Sequence, residues 1–382
     1  MKRFSLSALL VLATTCVFSQ SDKPLPTNDS FVLSWLCDHD YNDINSVKAD
    51  GATSIITIAL DGNHDVANRR YTAFNIDLTL PFGMEAVTID GKPDVALPED
   101  FSIYAGRIGQ LAHSIVGVAR PGNIVRVACS SNANKELLLS EGDLFQVGVR
   151  IVSPFAKPGK NKIFLSGQNL TTTKSQKYVP ADTFRTIVVD EGMVSVPLTI
   201  TTENKYSTCL LPFDATVPEG LRAYECVRIA GDSIIISKVE NFSAYVPYIL
   251  YAPNGYSGVL SGMTSATAYE NRVNAEGVSV AGCLTGAVAD QTISNGCVLR
   301  HTNNGMAFCP TNGALYQVPA GKCWLNAGTS LSGSFVFAEE SLAGISNHDV
   351  QGKSHAVYSL NGVRLPELRK GINIVNGKKI AY

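Results

Sequence analysis

A short acidic segment near residue 40 has the spacing of calcium ligands. Asp38, Asp40 and Asn42 alternate with other residues, so their oxygen atoms could turn toward one cation. The remainder of a calcium loop is missing from the sequence: Asp43 stands where the sharp turn requires glycine, and Ala49 stands where a bidentate acid should follow. We therefore interpret the segment as a solvated lead-in to the first strand and predict no metal site.

The other residue types that could perform catalysis are scattered along the chain. The six histidines include no H-x-H or H-E-x-x-H spacing that would bring two imidazoles to one metal. Residues 255–258 read Gly-Tyr-Ser-Gly, one residue short of a nucleophile elbow. Asp94, Glu99 and Asp100 cluster, but flanking prolines place them in an exposed loop, whereas a glycosidase needs two carboxylates facing one cleft. We predict that the chain is not an enzyme and uses no cofactor.

Tyrosines are the better candidates for a functional surface. Exposed aromatic rings stack on the apolar faces of sugars, while Asn, Asp and Arg side chains bind the hydroxyl groups. We predict Tyr71 and Tyr104 as ligand-binding residues. Further candidates in both halves of the chain are Tyr41, Tyr178, Tyr251, Tyr256 and Tyr269. The alternative interpretation is that these rings pack at the rims of the domains.

The chain contains nine cysteines, which is a large number for its length. Cys16 falls in the apolar N-terminal segment, and the others would enter an oxidising compartment if the chain is exported. Cys209 and Cys226 form a candidate disulfide. The alternative is that the cysteines pack as small apolar side chains. No C-x-x-C spacing indicates a zinc knuckle or a redox motif.

The N-terminus has the features of a signal peptide. Lys2 and Arg3 precede an apolar run over residues 8–18 that is too short for a membrane span. We predict a signal peptide over residues 1–20, with lipidation of Cys16 as the alternative. No later segment is apolar enough to form a transmembrane helix.

Composition limits the class of protein. The net charge is −2 and charged residues make up 17% of the chain, so no basic face for nucleic acid is expected. The chain contains 32 glycines, 17 prolines and abundant Thr, Val and Ile, a composition that favours strands and turns over helices. After removal of the predicted signal peptide, the chain is long enough for two domains of ordinary size and one small module.

Period-two alternation defines the first domain, which we predict over residues 31–190. In residues 74–80, apolar Phe74, Ile76 and Leu78 alternate with polar residues, and residues 125–129 and 145–151 alternate in the same way. Turn groups separate these segments. Strands that each bury one face predict an antiparallel β-sandwich or jelly roll. A second all-β domain is predicted over 191–340, a linker over 341–354 and a small β-module over 355–382.

The first domain resembles the cohesin-like domains. Residues 71–84 read YTAFNIDLTLPFGM, which is similar to an "aF-x-hydrophobic-x-L-x-L-P-x-G" segment of that family. The later segments 124–127 (IVRV) and 142–145 (GDLF) follow in a similar order. The resemblance implies a jelly-roll sandwich related to carbohydrate-binding modules. Cohesins bind dockerin modules through one sheet face, but no residue here can be matched to that face.

The rest of the chain resembles secreted proteins of the Bacteroidetes. Residues 206–213 (YSTCLLPF), 217–224 (VPEGLRAY) and 318–325 (VPAGKCWL) are similar in order to an all-β module of their surface proteins. Residues 355–382 contain two apolar strands, each closed by an Asn-Gly turn. This segment resembles the sorting domains of the type IX secretion route, which implies export and display at the cell surface.

Together these patterns predict a secreted or cell-surface binding or adhesion protein. Its partner would be a glycan or a protein, and it would meet the export machinery through the signal peptide and the C-terminal module. The alternatives are a structural scaffold of the cell surface or an accessory subunit of an extracellular hydrolase. Fold-level resemblance alone does not decide among them.

Deleting residues 355–382 should trap the protein in the periplasm, because the sorting-like module would be missing while the signal peptide remains. Cell fractionation and protease accessibility on intact cells would locate the truncated chain. A chain lacking only the predicted linker, residues 341–354, is the matched control and should still reach the surface. Unchanged surface display after removal of 355–382 would contradict a sorting role.

Overall fold

A computed structural model shows a chain that divides into two compact units, Met1–Asp190 and Glu191–Tyr382. The described residues are 23–38, 42–61, 71–96, 113–131, 133–137, 141–231, 233–302, 305–326, 336–339, 357–359, 364–365, 372–375 and 378–381. The predicted signal peptide and the predicted linker lie outside this set. The described residues are nearly all in strands and turns, which confirms the all-β prediction.

The first unit contains fifteen described strands, in which β-branched and aromatic residues alternate with polar ones. They are β1 (Leu25–Thr27), β2 (Ser30–Asp38), β3 (Asp43–Ile44), β4 (Ser54–Asp61), β5 (Tyr71–Thr79), β6 (Met84–Ala86), β7 (Thr88–Ile89), β8 (Lys92–Pro93), β9 (Val95–Ala96), β10 (His113–Arg120), β11 (Ile124–Ser131), β12 (Glu141–Ile151), β13 (Gly159–Thr172), β14 (Lys177–Pro180) and β15 (Thr183–Val189).

All of these strands except β7 and β8, which pair only with each other, form two facing sheets. One has the order β1-β14-β13-β5-β11-β10, with β15 also paired to β13. The other has the order β3-β2-β4-β12-β6, with β9 also paired to β12. All pairs in the two sheets are antiparallel except β1 with β14. The first unit is therefore the antiparallel β-sandwich that the sequence predicts.

The core of the first unit lies between the two sheets. Phe74 of β5 stacks on Phe145 of β12 at 5.4 Å and meets Phe31 of β2 edge-on at 5.8 Å. Ile76 and Ile58 are fully buried beside them. Each such side chain contributes roughly 1.5–3 kcal/mol when it leaves water, so this layer holds the sheets together.

The second unit begins with sixteen described strands and one short helix. They are β16 (Met193–Ile200), β17 (Tyr206–Leu210), β18 (Ala215–Thr216), β19 (Arg222–Ala230), β20 (Ser233–Val239), β21 (Asn241–Phe242), β22 (Pro247–Tyr251), β23 (Tyr256–Met263), α1 (Ala266–Arg272), β24 (Val278–Ala281), β25 (Leu284–Ala287), β26 (Gln291–Ile293), β27 (Cys297–Thr302), β28 (Gly305–Pro310), β29 (Tyr316–Val318), β30 (Cys323–Leu325) and β31 (Val336–Glu339). Ser265 caps α1 by accepting a hydrogen bond from the Ala268 N–H.

Two five-stranded sheets supply most of the second core. Their orders are β17-β22-β19-β20-β31 and β24-β25-β30-β27-β28. Buried side chains from both sheets pack together, including Ile234, Ile249, Leu284 and Phe308. A two-stranded ribbon, β16 with β23, adds a further apolar face, and the small ladders β18-β21 and β26-β29 complete the unit.

The C-terminal segment adds four short strands in the order β33-β32-β34-β35. They are β32 (Val357–Ser359), β33 (Arg364–Leu365), β34 (Ile372–Val375) and β35 (Lys378–Ala381). The two predicted Asn-Gly turns lie outside the described residues. Within the described part of the chain, no helix is both long and apolar enough to cross a membrane.

His113 is a buried titratable group at the start of β10, only 8% exposed. Burial lowers the pKa of His113 below its ordinary value of 6.5, because an imidazolium loses hydration inside the protein. The unfolded chain therefore binds this proton more readily than the folded chain. The resulting contribution to stability is complete above the unfolded pKa and is lost as pH falls toward the folded pKa.

Between about pH 7.5 and pH 5 the free energy of unfolding of the wild type should fall more steeply than that of His113→Leu, because the variant has no imidazole to protonate. Urea titrations at several pH values would measure both slopes. His301→Leu, which changes an exposed histidine, should follow the wild type. Parallel pH profiles for the wild type and His113→Leu would refute this assignment.

Candidate binding surface

The outer side of the seven-stranded sheet in the first unit is the best-formed candidate surface. Register aligns one row of side chains across five neighbouring strands, β10, β11, β5, β13 and β15. The row consists of Arg120, Ile124, Thr79, Phe164 and Phe184. We call this side the outer sheet face. Its other outward residues in these strands and in β14 are Ser114, Val116, Val118, Arg126, Ala128, Ser130, Ala73, Asn75, Asp77, Lys160, Lys162, Ser166, Asn169, Thr171, Lys177, Val179, Thr186 and Val188.

Two phenylalanines stand exposed near one end of this row. Phe164 is 52% exposed and Phe184 is 45% exposed, and their rings meet edge-on at 6.3 Å and 61°. The ammonium group of Lys162 lies 4.2 Å from the centre of the Phe184 ring, a cation–π contact. Exposed rings of this kind contribute little to the stability of the fold. Aromatic residues are, however, enriched in protein interfaces.

The sequence analysis did not select these two residues. The run Ile163-Phe164-Leu165 is apolar throughout, so its phase is not visible from hydrophobicity alone. Lys162 and Lys160 lie two and four residues before Phe164, so all three side chains point to the same side of the strand. Two lysines on one side indicate that this side is exposed. That alternation is the signal that could have identified Phe164 as exposed.

An ion pair fixes the middle of the outer sheet face. Nε of Arg126 lies 2.6 Å from Oδ1 of Asp77, and Nη2 lies 2.5 Å from Oδ2, so the pair is bidentate across β11 and β5. The hydrogen bond to Asp77 raises the pKa of Arg126. Gly167 lies beside the pair in a bulge of β13, where a Cβ atom would come within 3.2 Å of Asp77 Oδ2. The glycine therefore leaves room for the pair.

The remaining charge on the outer sheet face is positive. Lys160, Lys162, Lys177 and Arg120 point outward, whereas Asp77 is the one acidic side chain among the outward residues defined above. Arg126 already neutralises Asp77. The face thus combines exposed apolar groups with a net basic surround.

Tyr71 was predicted as a ligand-binding residue, and this prediction is wrong. Its side chain is 1% exposed, and its hydroxyl group donates a hydrogen bond to Asp29 in the interior. The register of β5 against β13 shifts between Thr171 and Thr172, so both Tyr71 and Thr72 are buried at this point. The bulge reverses the alternation that would have placed Tyr71 on the outer sheet face.

Among the other predicted tyrosines, those that the structure describes pack against neighbouring rings or lie half-buried within their own unit. Tyr104 and Tyr41 lie outside the described residues, so Tyr104 stays a prediction. Tyr178 packs edge-on against Tyr71, and Tyr269 packs edge-on against Tyr245. Tyr251 and Tyr256, in strands of the second unit, are half-buried.

From the sequence we considered three segments for metal binding or catalysis: residues 38–42, 94–100 and 255–258. The side chains of Asp38 and Asp40, and the whole of Glu99 and Asp100, lie outside the described residues. Ser257 is exposed on β23 and is not on a strand–turn–helix elbow. In the portion of the chain that the structure describes, no group of three or more His, Cys, Asp or Glu side chains could hold a metal ion.

The disulfide predicted between Cys209 and Cys226 is also wrong. Cys226 of β19 is bonded to Cys283, with Cα atoms 5.7 Å apart. Cys209 lies on β17, and β22 separates it from β19 in the sheet. Two strand spacings amount to roughly 9–10 Å, beyond the reach of a disulfide, which needs Cα atoms closer than about 7 Å.

The Cys226–Cys283 bond joins the two five-stranded sheets of the second unit. Cys283 lies in the two-residue turn between β24 and β25, next to Gly282. A Cβ atom on Gly282 would come within 1.8 Å of the Cys226 carbonyl oxygen, so only glycine permits this approach. A cross-link spanning 57 residues stabilises the fold by about 4 kcal/mol in the chain-entropy model.

Cys209 of β17 and Cys323 of β30 are both buried thiols, and the Cys323 thiol donates a hydrogen bond to the Cys209 carbonyl oxygen at 3.1 Å. The hydroxyl of Thr208 binds the backbone N–H and C=O of Cys323, so Cys323 lies on the Thr208 side of β17. Strand alternation directs the Cys209 side chain to the other side. Burial raises the pKa of Cys323 to about 12 and holds that of Cys209 well above its ordinary value, so neither is a reactive thiolate.

Comparison with known proteins shows similarity at the level of solved folds. No family model matches the chain, and no curated protein matches it. A cohesin module of a family 33 glycoside hydrolase from Clostridium perfringens is 8% identical, with a TM-score of 0.30, over 43% of this chain and 96% of that one. A non-cellulosomal cohesin from Archaeoglobus fulgidus is 15% identical, with a TM-score of 0.27, over 38% and 86%.

A pilin is also similar. BcpA, the major pilin subunit of Bacillus cereus, is 9% identical, with a TM-score of 0.27, over 82% of this chain and 69% of that one. Cohesin modules are thus among the solved structures to which this chain is similar. At these identities and TM-scores the similarity assigns no partner and no site to the chain.

Peptide mapping should find Cys226 and Cys283 in one cross-linked pair and Cys209 as a free thiol. The reason is that β22 keeps Cys209 out of reach of Cys226. Alkylation in denaturant without reductant, followed by mass spectrometry, would show which cysteines are modified. The variant Cys283→Ser removes the disulfide and should lower the free energy of unfolding by about 2–5 kcal/mol. The variant Cys209→Ser leaves the disulfide intact. An unmodified Cys209 would contradict the assignment.

Proposed function

We propose that this chain is a non-catalytic, extracytoplasmic binding protein whose outer sheet face recognises a protein partner. The observation that carries the proposal is the exposed pair Phe164 and Phe184 within a basic surround on one regular sheet. The proposal includes display outside the cell. This part is supported by the signal peptide and the sorting-like module that we predict from the sequence.

A protein partner fits the two rings better than a glycan does. Sugar-binding platforms present aromatic faces side by side, whereas the Phe164 and Phe184 rings are inclined by 61°. Lys162 also covers one face of Phe184. Neither phenylalanine has a hydroxyl group to bond a sugar, and the predicted tyrosine platform is not available because Tyr71 is buried. Inclined rings fit a protein surface with matching apolar side chains.

Charge defines the chemistry of the partner further. Lys160 and Lys162 lie on the same side of β13 as Phe164, and Asp182, exposed two residues before Phe184, is an acidic side chain at the border of this region. A partner with acidic side chains around an apolar centre would complement this pattern, and the long-range attraction would raise the association rate at low salt. The Asp77–Arg126 pair, being already satisfied, would contribute rigidity more than charge.

Replacing both rings, in Phe164→Ala/Phe184→Ala, should weaken partner binding by roughly one and a half to four orders of magnitude, because central aromatic truncations each cost about 1–3 kcal/mol and about 1.4 kcal/mol corresponds to a tenfold change. The fluorescently labelled mature protein would be titrated onto envelope preparations of the producing cell, before and after proteinase treatment. Wild-type binding should disappear after proteinase treatment and weaken as salt increases.

The matched control is Val280→Ala/Leu315→Ala, which removes two exposed apolar side chains from the second unit. It should bind as the wild type does, and thermal melting should show that both variants fold. Equal binding by Phe164→Ala/Phe184→Ala would remove the outer sheet face from the proposal. Binding that survives proteinase treatment but is lost after glycosidase treatment would establish a glycan as the ligand.

A further inference from the structure

The last strand of the β17-β22-β19-β20-β31 sheet in the second unit arrives from a distant part of the sequence. β31 pairs with β20 in parallel, with Ser233 opposite Val336 and Ile236 opposite Glu339. The other three pairs of this sheet are antiparallel. A parallel pair is slightly weaker per residue than an antiparallel pair, and this one spans only four residues.

One aromatic side chain anchors β31. The Phe337 ring stacks on Tyr206 at 4.6 Å and 19° and meets Phe308 edge-on at 6.0 Å. Tyr206 in turn contacts Tyr251 at 4.6 Å, and the Arg222 guanidinium lies 5.7 Å from the Tyr251 ring. The rings of Phe337, Tyr206 and Tyr251 are half-buried and Arg222 is exposed, so this anchor lies at the rim of the core.

The edge that β31 covers cannot remain open without cost. Ile234 and Ile236 of β20 are buried, and Ile235 between them is half-buried. A bare edge over residues 233–236 would present unpaired N–H and C=O groups beside three isoleucines, which is a template for pairing with another chain. The site therefore requires a strand, but nothing in its chemistry requires that the strand belong to the same molecule.

We propose that β31 is an exchangeable strand and that the β20 edge binds β31 of a second copy in the same parallel register. Complementarity is already demonstrated, because the chain's own β31 fills the site. Residues 326–335 connect β30 to β31 and would reach about 33 Å if extended, which is long enough to cross to a neighbouring molecule. The exchanged state makes the same contacts, so concentration decides its population.

Mixing two single-cysteine variants tests the exchange directly. Ile235→Cys and Ala338→Cys change residues that are register partners across β20 and β31. After incubation together and treatment with a short thiol–thiol cross-linker, exchange predicts a covalent heterodimer on a denaturing gel. An excess of a synthetic peptide covering residues 333–341 should abolish it, because the peptide occupies the β20 edge.

The control mixture contains Ser195→Cys and Ser261→Cys, which are register partners in the ribbon of β16 and β23. That ribbon forms within one molecule, so this mixture should give only the background from native thiols. Adding Phe337→Ala to the Ala338→Cys copy should lower the heterodimer yield, because the donated strand loses its anchor. Heterodimer no more abundant than in the control mixture, or unaffected by the peptide, would overturn the proposal.

Discussion

A strand in a two-layer sandwich can bury only one of its sides, and the rest of this protein depends on that constraint. In the first unit Phe74, Ile76 and their partners on the facing sheet occupy the buried side, where each contributes roughly 1.5–3 kcal/mol. The side of each strand that faces away from the core does not contribute to this packing. Phe164 and Phe184 lie on that outward side, where solvent contact offers them no comparable gain. Their exposure there is the basis of the proposed contact with a partner.

Alternation also explains what the sequence could and could not predict. Residues 74–80 alternate cleanly, and the strand, its buried side and the sandwich class follow from them. Tyr71 lies three residues before Phe74, but a bulge intervenes and turns the ring inward. A bulge depends on the pairing of two strands that are distant in sequence, so no local pattern announces it. Phe164 was missed for a different reason: it lies in a run of three apolar residues, where only the preceding lysines Lys160 and Lys162 indicate which side is exposed.

The cysteines show a second limit of sequence reasoning. Cys209 and Cys226 are near neighbours in the chain, but spatial order in the sheet places β22 between their strands. Cys283 is more distant in sequence and yet lies against Cys226, because the turn before β25 packs onto β19 through Gly282. Disulfide partners are therefore decided by sheet order and by the packing of sheets. The glycine that permits the contact gives no signal of its own.

Both units complete a large sheet with a short parallel strand from a remote segment, β1 beside β14 and β31 beside β20. An open edge invites aggregation, and a long edge strand would close it permanently. A strand of three or four residues covers the edge while contributing little binding energy of its own. For β31, the side chain that the structure describes is Phe337, a half-buried ring that stacks on Tyr206. An edge closed in this way is protected in the single molecule but remains open to competition from an identical strand, which is the physical condition that strand exchange requires.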